Sequence, residues 1–185
     1  MSPYLFACFI DSLVDKVQAS GLGCHVNMAC LSILLYADDI LLVSPSVSSL
    51  QCILRICEAE LKWLDMRINP NKSSCVRFGA RYSIKCRNIG LLTNDNNCKL
   101  IWSDSVRYLG VYLRSARSFA CSHSYAKKGM YRVFNAVFGK VGRVASPDVV
   151  VQLVKTKCLP MLYYAIEVSP TNKSDVLSLQ YVIDM

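Results

Sequence analysis

Apolar positions recur along the chain with two different periods, and the alternation between them sets out the elements. Leu5, Phe6, Phe9, Ile10, Leu13 and Val17 follow helical spacing after Ser2-Pro3. A serine that can accept from free amides, with proline at the first turn, is a helix start. The spacing predicts a helix from Pro3 to about Gln18, with Asp11 and Asp15 on its solvated side. After Gly21-Leu22-Gly23, two runs rich in β-compatible residues, about His25–Tyr36 and Ile40–Ser44, flank Ala37-Asp38-Asp39. They predict a β-hairpin with its acids at the bend. Leu50, Ile53, Leu54, Cys57, Leu61 and Leu64 then predict a helix over Ser46–Met66, ended by Asn69-Pro70-Asn71.

Beyond Ser74 the pattern shortens. Cys75–Phe78, Lys99–Trp102 and Arg107–Leu113 read as strands of a small antiparallel sheet, with Asn94-Asp95-Asn96-Asn97 as a turn or loop. The remainder reads as helical. Met130, Val133, Phe134, Val137 and Val141 form one stripe, with Lys128, Arg132 and Arg143 opposite. Ser146-Pro147 starts a helix to about Tyr163, and another runs from Asn172 to Met185. The fold class expected is α+β.

Charge divides the chain. Residues 1–80 hold six Lys/Arg against seven Asp/Glu, whereas 81–185 hold fifteen against six, which places the net +8 in the second part. No acidic residue lies between Asp104 and Asp148, an interval holding Arg107, Arg114, Arg117, Lys127, Lys128, Arg132, Lys140 and Arg143. Such a stretch suits a phosphate backbone, and it also suits a plain solvated surface. The ten cysteines are scattered singly, with no C-x-x-C pair, so free, buried, intracellular thiols are expected rather than disulfides or zinc. No signal peptide is expected, because the first apolar stretch lacks a basic leader and contains Asp11 and Asp15. The run Met28–Val43 is too short and too acidic for a membrane span, so no membrane partner is expected. Asn71 and Asn172 then open sequons without meaning in an intracellular protein.

Tyr36-Ala37-Asp38-Asp39 is the sharpest chemical feature. Apolar strands buried on both sides would bring a carboxylate pair to a sheet rim, where oxygen donors can hold a hard divalent cation. A two-metal site for phosphoryl transfer needs such acids. Neighbouring residues of an extended chain point to opposite faces, so a further carboxylate from an adjacent strand is required. Asp-Asp in a tight turn is also ordinary turn chemistry.

Leu35-Tyr36-Ala37-Asp38-Asp39-Ile40 resembles the catalytic box of reverse transcriptases. Other matches follow in that family's order. Ser2-Pro3-Tyr4-Leu5-Phe6 resembles the segment that begins a palm helix beside the incoming nucleotide. Asn69-Pro70-Asn71-Lys72-Ser73, followed by Phe78-Gly79, resembles the box after the second palm helix, and Tyr108-Leu109-Gly110-Val111 resembles the turn that grips the primer terminus. The spacing over about residues 1–113 is similar to that of polymerases of non-long-terminal-repeat retrotransposons.

The resemblance implies a partial polymerase palm over 1–114, an antiparallel sheet with helices on one face, followed by a helical thumb-like region over 115–185. Asp38 would be the principal Mg²⁺ ligand and Asp39 its secondary acid. Tyr36, on the same strand face as Asp38, would lie near the primer end, and Ala37, Ser2 and Pro3 would border the nucleotide. Lys72 would stand near its phosphates as a proton donor. Tyr108, Leu109 and Gly110 would hold the primer, and Lys128, Arg132 and Arg143 would track the duplex backbone. The partners implied are an RNA template, a DNA primer and deoxynucleoside triphosphates, with the missing polymerase portions or a fused endonuclease domain, at a nuclear site of action.

In the family the other metal-binding aspartate lies on a strand ahead of the Ser-Pro segment, and the fingers precede it too. Asp11 and Asp15 are not expected to replace it. The expectation is therefore a truncated RNA-directed DNA polymerase, inactive alone, with an unpaired sheet edge. The alternative is a non-catalytic nucleic-acid-binding remnant with a basic helical surface.

Overall fold

The computed structural model describes residues 3–92, 98–142 and 144–184. Ser2, Arg143 and the Asn94-Asp95-Asn96-Asn97 segment lie outside them. The chain divides into two compact units, Met1–Cys75 with Lys85–Trp102, and Val76–Ile84 with Ser103–Met185. The hairpin containing Tyr108-Leu109-Gly110 thus groups with the helical region rather than with the residues that hold Asp38, Asp39 and Lys72.

In the first unit, α1 (Pro3–Ala19) and α2 (Val47–Trp63) pack beside a hairpin of β3 (Ile33–Tyr36) and β4 (Asp39–Leu42). Ile10, Leu13 and Val17 of α1 meet Ile53, Cys57, Leu61 and Leu64 around Ile33. The predicted apolar face of α1 is narrower than expected, because Leu5 and Phe9 are exposed while Phe6 packs against the core. Asp11 and Asp15 are exposed.

The α2 ends explain its bounds. Ser46 Oγ accepts from Ser49 N at 3.0 Å, an N-cap that satisfies one orphan amide. At the other end Met66 N donates to Leu61 O (2.7 Å) and Asp65 N to Lys62 O (3.2 Å), with Asp65 at φ 55°. That is the Schellman pattern with aspartate where glycine is usual.

A second face of α2, through Leu54, covers a three-stranded sheet ordered β5 (Ser74–Cys75), β7 (Lys99–Trp102), β6 (Ile89–Gly90). Gln51 lies against β6 with both amide atoms used, donating to Gly90 O and accepting from Gly90 N, each at 2.8 Å. Glu58 is buried on the same helix and accepts from Leu92 N at 2.8 Å. Backbone groups that a short strand leaves open are thereby closed by helix side chains.

Three strand expectations are corrected. The run His25–Tyr36 is not one strand: β1 (Cys24–Val26) pairs with β2 (Ala29–Leu31), and β3 then turns to pair with β4. Asn27 and Met28, at φ 46° and 69°, make a two-residue turn that lacks the usual glycine signal. Of Cys75–Phe78 only Cys75 is in a strand, the end of β5, which pairs in parallel with β7. Arg107–Leu113 folds back on itself as β8 (Ser105–Tyr108) and β9 (Val111–Arg114), because Leu109 and Gly110 both take positive φ. The expected single small sheet is therefore two three-stranded sheets, one in each unit.

In the second unit β10 (Ala120–Ser122) completes the order β10-β9-β8. The long α3 (Ser124–Val141) packs with Met130, Tyr131, Val133 and Phe134 against Cys158 and Leu162 and against Leu179 and Val182 of α6 (Lys173–Asp184). The helix predicted from Pro147 is α4 (Pro147–Leu153) and α5 (Leu159–Tyr163), joined through a π-helical Val154–Cys158. Pro160 explains the widened turn: it has no N–H, and its ring crowds the carbonyl four residues back. Leu159 N accordingly reaches Val154 O. By length and composition the stretch Pro147–Val168 could cross a membrane; Cys158 and Leu162 within it are fully buried, while Val149, Val151, Met161 and Val168 are exposed.

All ten cysteines are free thiols. Cys57, Cys75, Cys121 and Cys158 are buried as expected, Cys24, Cys30, Cys86 and Cys98 are partly so, and Cys8 and Cys52 are exposed, which departs from the expectation of buried thiols. Burial, reinforced by the neighbouring Glu58 charge, pushes the Cys57 thiol up to about 12, and burial pushes Cys75 up to about 11. Above pH 9 the unfolded chain loses these protons while the folded chain keeps them, so stability falls as pH rises from 9 towards 12. Urea midpoints measured across that window should decline, and Cys57→Ala should flatten part of the decline.

Gly23 is buried, and a Cβ there would lie 2.5 Å from the backbone oxygen of Leu31, whereas Gly21 has open space but φ 64°. Gly21→Ala is expected to cost about 1 kcal/mol through strain alone. Gly23→Ala must displace backbone and should cost roughly 3 kcal/mol. Denaturant titration that ranks the two the other way contradicts this packing.

Candidate active site and nucleic-acid face

Register decides what the β3–β4 hairpin displays. Ile33 pairs with Leu42, Leu34 with Leu41, Leu35 with Ile40 and Tyr36 with Asp39. Alternate pairs share a face, so Ile33, Leu35, Ile40 and Leu42 form the side packed on the core. Leu34, Tyr36, Asp39 and Leu41 form the other side, where Leu34 is exposed and Tyr36 is 64% exposed. The strands are thus covered on one face, not on both as expected.

Ala37 and Asp38 make the two-residue turn. Ala37 sits at φ 51°, a left-handed conformation costing a non-glycine residue about 1 kcal/mol. Asp38 is exposed at the bend and Asp39 is exposed as the first residue of β4. This corrects the expectation that Tyr36 shares a strand face with Asp38: its cross-strand neighbour is Asp39. Carboxylates at a solvent-facing bend are hard oxygen donors of the kind a divalent cation takes. Among the described residues no group of three or more His, Cys, Asp or Glu comes together there or elsewhere.

Lys72 is displayed by a different device in the same unit. Asn69 folds the chain after α2: its Oδ1 accepts from Asn71 N at 3.0 Å, and its carbonyl accepts from Lys72 N (3.2 Å) and Ser73 N (3.1 Å). The side chain of Lys72 is left exposed. It makes no hydrogen bond or ion pair with Asp38 or Asp39 among the described residues, whose salt bridge is Lys16 to the buried Glu60 at 2.6 Å. Pro3 opens α1 as the pattern predicted, and Ser2 lies outside the described residues.

The second unit carries the remaining candidates. In β8–β9 the pairs Arg107–Tyr112 and Ser105–Arg114 share one face, while Val106, Tyr108, Val111 and Leu113 share the other. Tyr112 stacks on Tyr125 of α3 with ring centroids 3.6 Å apart, and Lys128 Nζ lies 5.8 Å from the Tyr125 ring. Arg107, Arg114, Lys128 and Arg132 are exposed. The unit therefore sets cations beside an aromatic pair, with Tyr125 54% exposed, a composition suited to phosphates and stacked bases. Arg143 lies outside the described residues.

Tyr112 and Tyr125 carried no signal in the sequence, since their pairing depends on where α3 starts after β10. The Tyr108-Leu109-Gly110 turn is another two-residue turn, with Leu109 at φ 46° and Gly110 at φ 80°.

A family model described as reverse transcriptase (RNA-dependent DNA polymerase) matches residues 1–113, more than half of the chain. Comparison with the curated proteins gives no match.

The Ala37 turn gives a direct test of the carboxylate display. Ala37→Val puts a β-branched side chain at φ 51° and should cost about 2 kcal/mol or more. Ala37→Gly should be close to neutral, because relief of strain is offset by the freer unfolded chain. Equal urea midpoints for the two variants would contradict the turn geometry.

Proposed function

The chain belongs to the reverse transcriptase family, and on that footing we propose that it serves RNA-directed DNA synthesis in a non-long-terminal-repeat retrotransposon, contributing the carboxylate hairpin of the nucleotidyl-transfer site. The observation that carries this is the pairing of Tyr36 with Asp39 beside Asp38, at the solvent end of an apolar-backed hairpin within the matched residues.

By donor chemistry Asp38 and Asp39 fit Mg²⁺, with Asp38 the principal ligand. Magnesium held there supplies charge neutralisation at the phosphates and activation of the primer hydroxyl. Two carboxylates do not complete a two-ion site, so a further acid from another strand is needed, and the 185-residue chain alone is proposed to be inactive.

The other roles follow from chemistry and placement. Lys72, exposed on its Asn69-held turn, is suited to place an ammonium against nucleotide phosphates and to protonate the leaving pyrophosphate. Tyr36 offers an aromatic face to the primer end, and Ala37 with the start of α1 borders the nucleotide. Tyr108, Leu109 and Gly110 hold the primer terminus, while Lys128, Arg132 and Arg143 contact the duplex backbone as a thumb. Arg107 and Arg114 add two cations to that set. The reading places the protein in the nucleus, where such an element copies itself into chromosomal targets. A non-catalytic nucleic-acid-binding role is favoured by one observation: no third metal-binding side chain joins the two aspartates among the described residues.

Magnesium, deoxynucleotides and a primed RNA template separate the readings. The chain should bind the template with an affinity that falls with salt, at a log–log slope of about −3 to −5. Primer extension should appear when a polypeptide supplying a further carboxylate strand is fused or added, and Asp38→Ala should then cut it by at least about 100-fold. Salt-sensitive binding with no synthesis after complementation favours the binding role, and synthesis indifferent to Asp38→Ala sinks the catalytic one.

A further inference from the structure

Leu109 and Gly110 join β8 to β9 with both residues at positive φ. Glycine, asparagine and aspartate suit such a turn, and leucine does not, so something beyond the turn must hold it. The holder is Tyr164, fifty-five residues later, immediately after α5. Its hydroxyl donates to the Leu109 carbonyl at 2.9 Å. Its ring lies against Gly110 so closely that a Cβ there would meet Cε1 at 3.1 Å.

Tyr164 is fixed in turn from behind. Its N–H donates to Pro160 O at 3.1 Å, and Ala165 at φ 58° turns the chain away. Yet the tyrosine is 61% exposed, so its place is not explained by filling the core. One side chain thus restrains both residues of the turn through different contacts, a hydrogen bond to one and ring packing on the other.

We propose that Tyr164 is a positioning residue for primer recognition: it locks the Tyr108-Leu109-Gly110 turn in the shape that receives a primer 3′ end. This rests on the reading of that turn as a primer contact. Tyr164 itself does not meet the reacting atoms. Losing its hydroxyl lets the turn relax and lowers selectivity for a recessed primer terminus, while the affinity of the basic surface for duplex is kept.

The test compares binding of the full chain to an RNA–DNA duplex with a recessed primer 3′ end and to a blunt duplex of equal length. The wild-type chain should prefer the recessed end, and Tyr164→Phe, which keeps the ring, should reduce that preference about 5-fold. Blunt-duplex affinity and the thermal midpoint should not move. Gly110→Ala should lower the preference at least as far, and the exposed neighbour variant Tyr163→Phe should leave it intact. Retained preference in Tyr164→Phe overturns the proposal, as does a parallel fall in recessed binding, blunt binding and thermal midpoint, the mark of a merely structural residue. A wild-type chain that makes no distinction overturns the primer reading of the turn itself, before any variant is compared.

Discussion

The period-two register of the hairpins is the constraint from which the display of the candidate residues on the two hairpins follows. Ile33, Leu35, Ile40 and Leu42 must share a face to be buried on α1 and α2. A slip of one residue would send all four to solvent, so burial fixes the pairing and leaves two residues for the turn. Once the turn is Ala37-Asp38, Tyr36 and Asp39 have no choice but to stand together on the open side. In the second unit the same rule puts Val106, Tyr108, Val111 and Leu113 on one face, which forces Arg107, Tyr112 and Arg114 onto the other. Chemistry in both hairpins is the complement of packing.

The core that enforces this register in the first unit depends on α2 serving two surfaces. Ile53, Cys57 and Leu61 face α1 and the hairpin, and Leu54 faces the three-stranded sheet. A helix buried on two sides has to place polar residues inward, and it does so with partners. Gln51 closes both backbone groups of Gly90, Glu58 accepts from Leu92, and Glu60 meets Lys16. Buried carboxylates are costly unless bonded, so these contacts fix the sheet and helix in one arrangement more than they add net stability.

The sequence was most legible where a long apolar period had no rival. Both helices of the first unit, the long α3 and the acids at a hairpin bend were all visible, because amphipathic spacing over sixteen or more residues leaves few alternatives. It misled where a turn lacked glycine: Asn27-Met28 hid a hairpin inside an apparent strand. In Arg107–Leu113, read by its pattern as one strand, Gly110 marked the bend at which the run folds back. Partnerships across distance were invisible: Tyr112 with Tyr125, and Tyr164 with the turn at 109–110, arise from where helices begin and end. Family resemblance supplied candidate roles that periodicity could not, and the match over residues 1–113 agrees with that resemblance at the level of the family.

Backbone strain is common to the two hairpin turns that carry candidate residues. Ala37 and Leu109 are ordinary side chains held at φ 51° and 46°, each at a cost of about 1 kcal/mol that glycine would avoid. Strain alone does not mark function, since Asp65 takes the same conformation merely to end α2. The difference lies in what restrains each turn. Asp65 is held by the helix hydrogen bonds it terminates, the Ala37 turn by the buried faces of its own strands, and the Leu109 turn by a tyrosine from another element. A turn that depends on an outside side chain can be loosened by one atom without unfolding the strands, and that makes the 109–110 turn the adjustable one of the three.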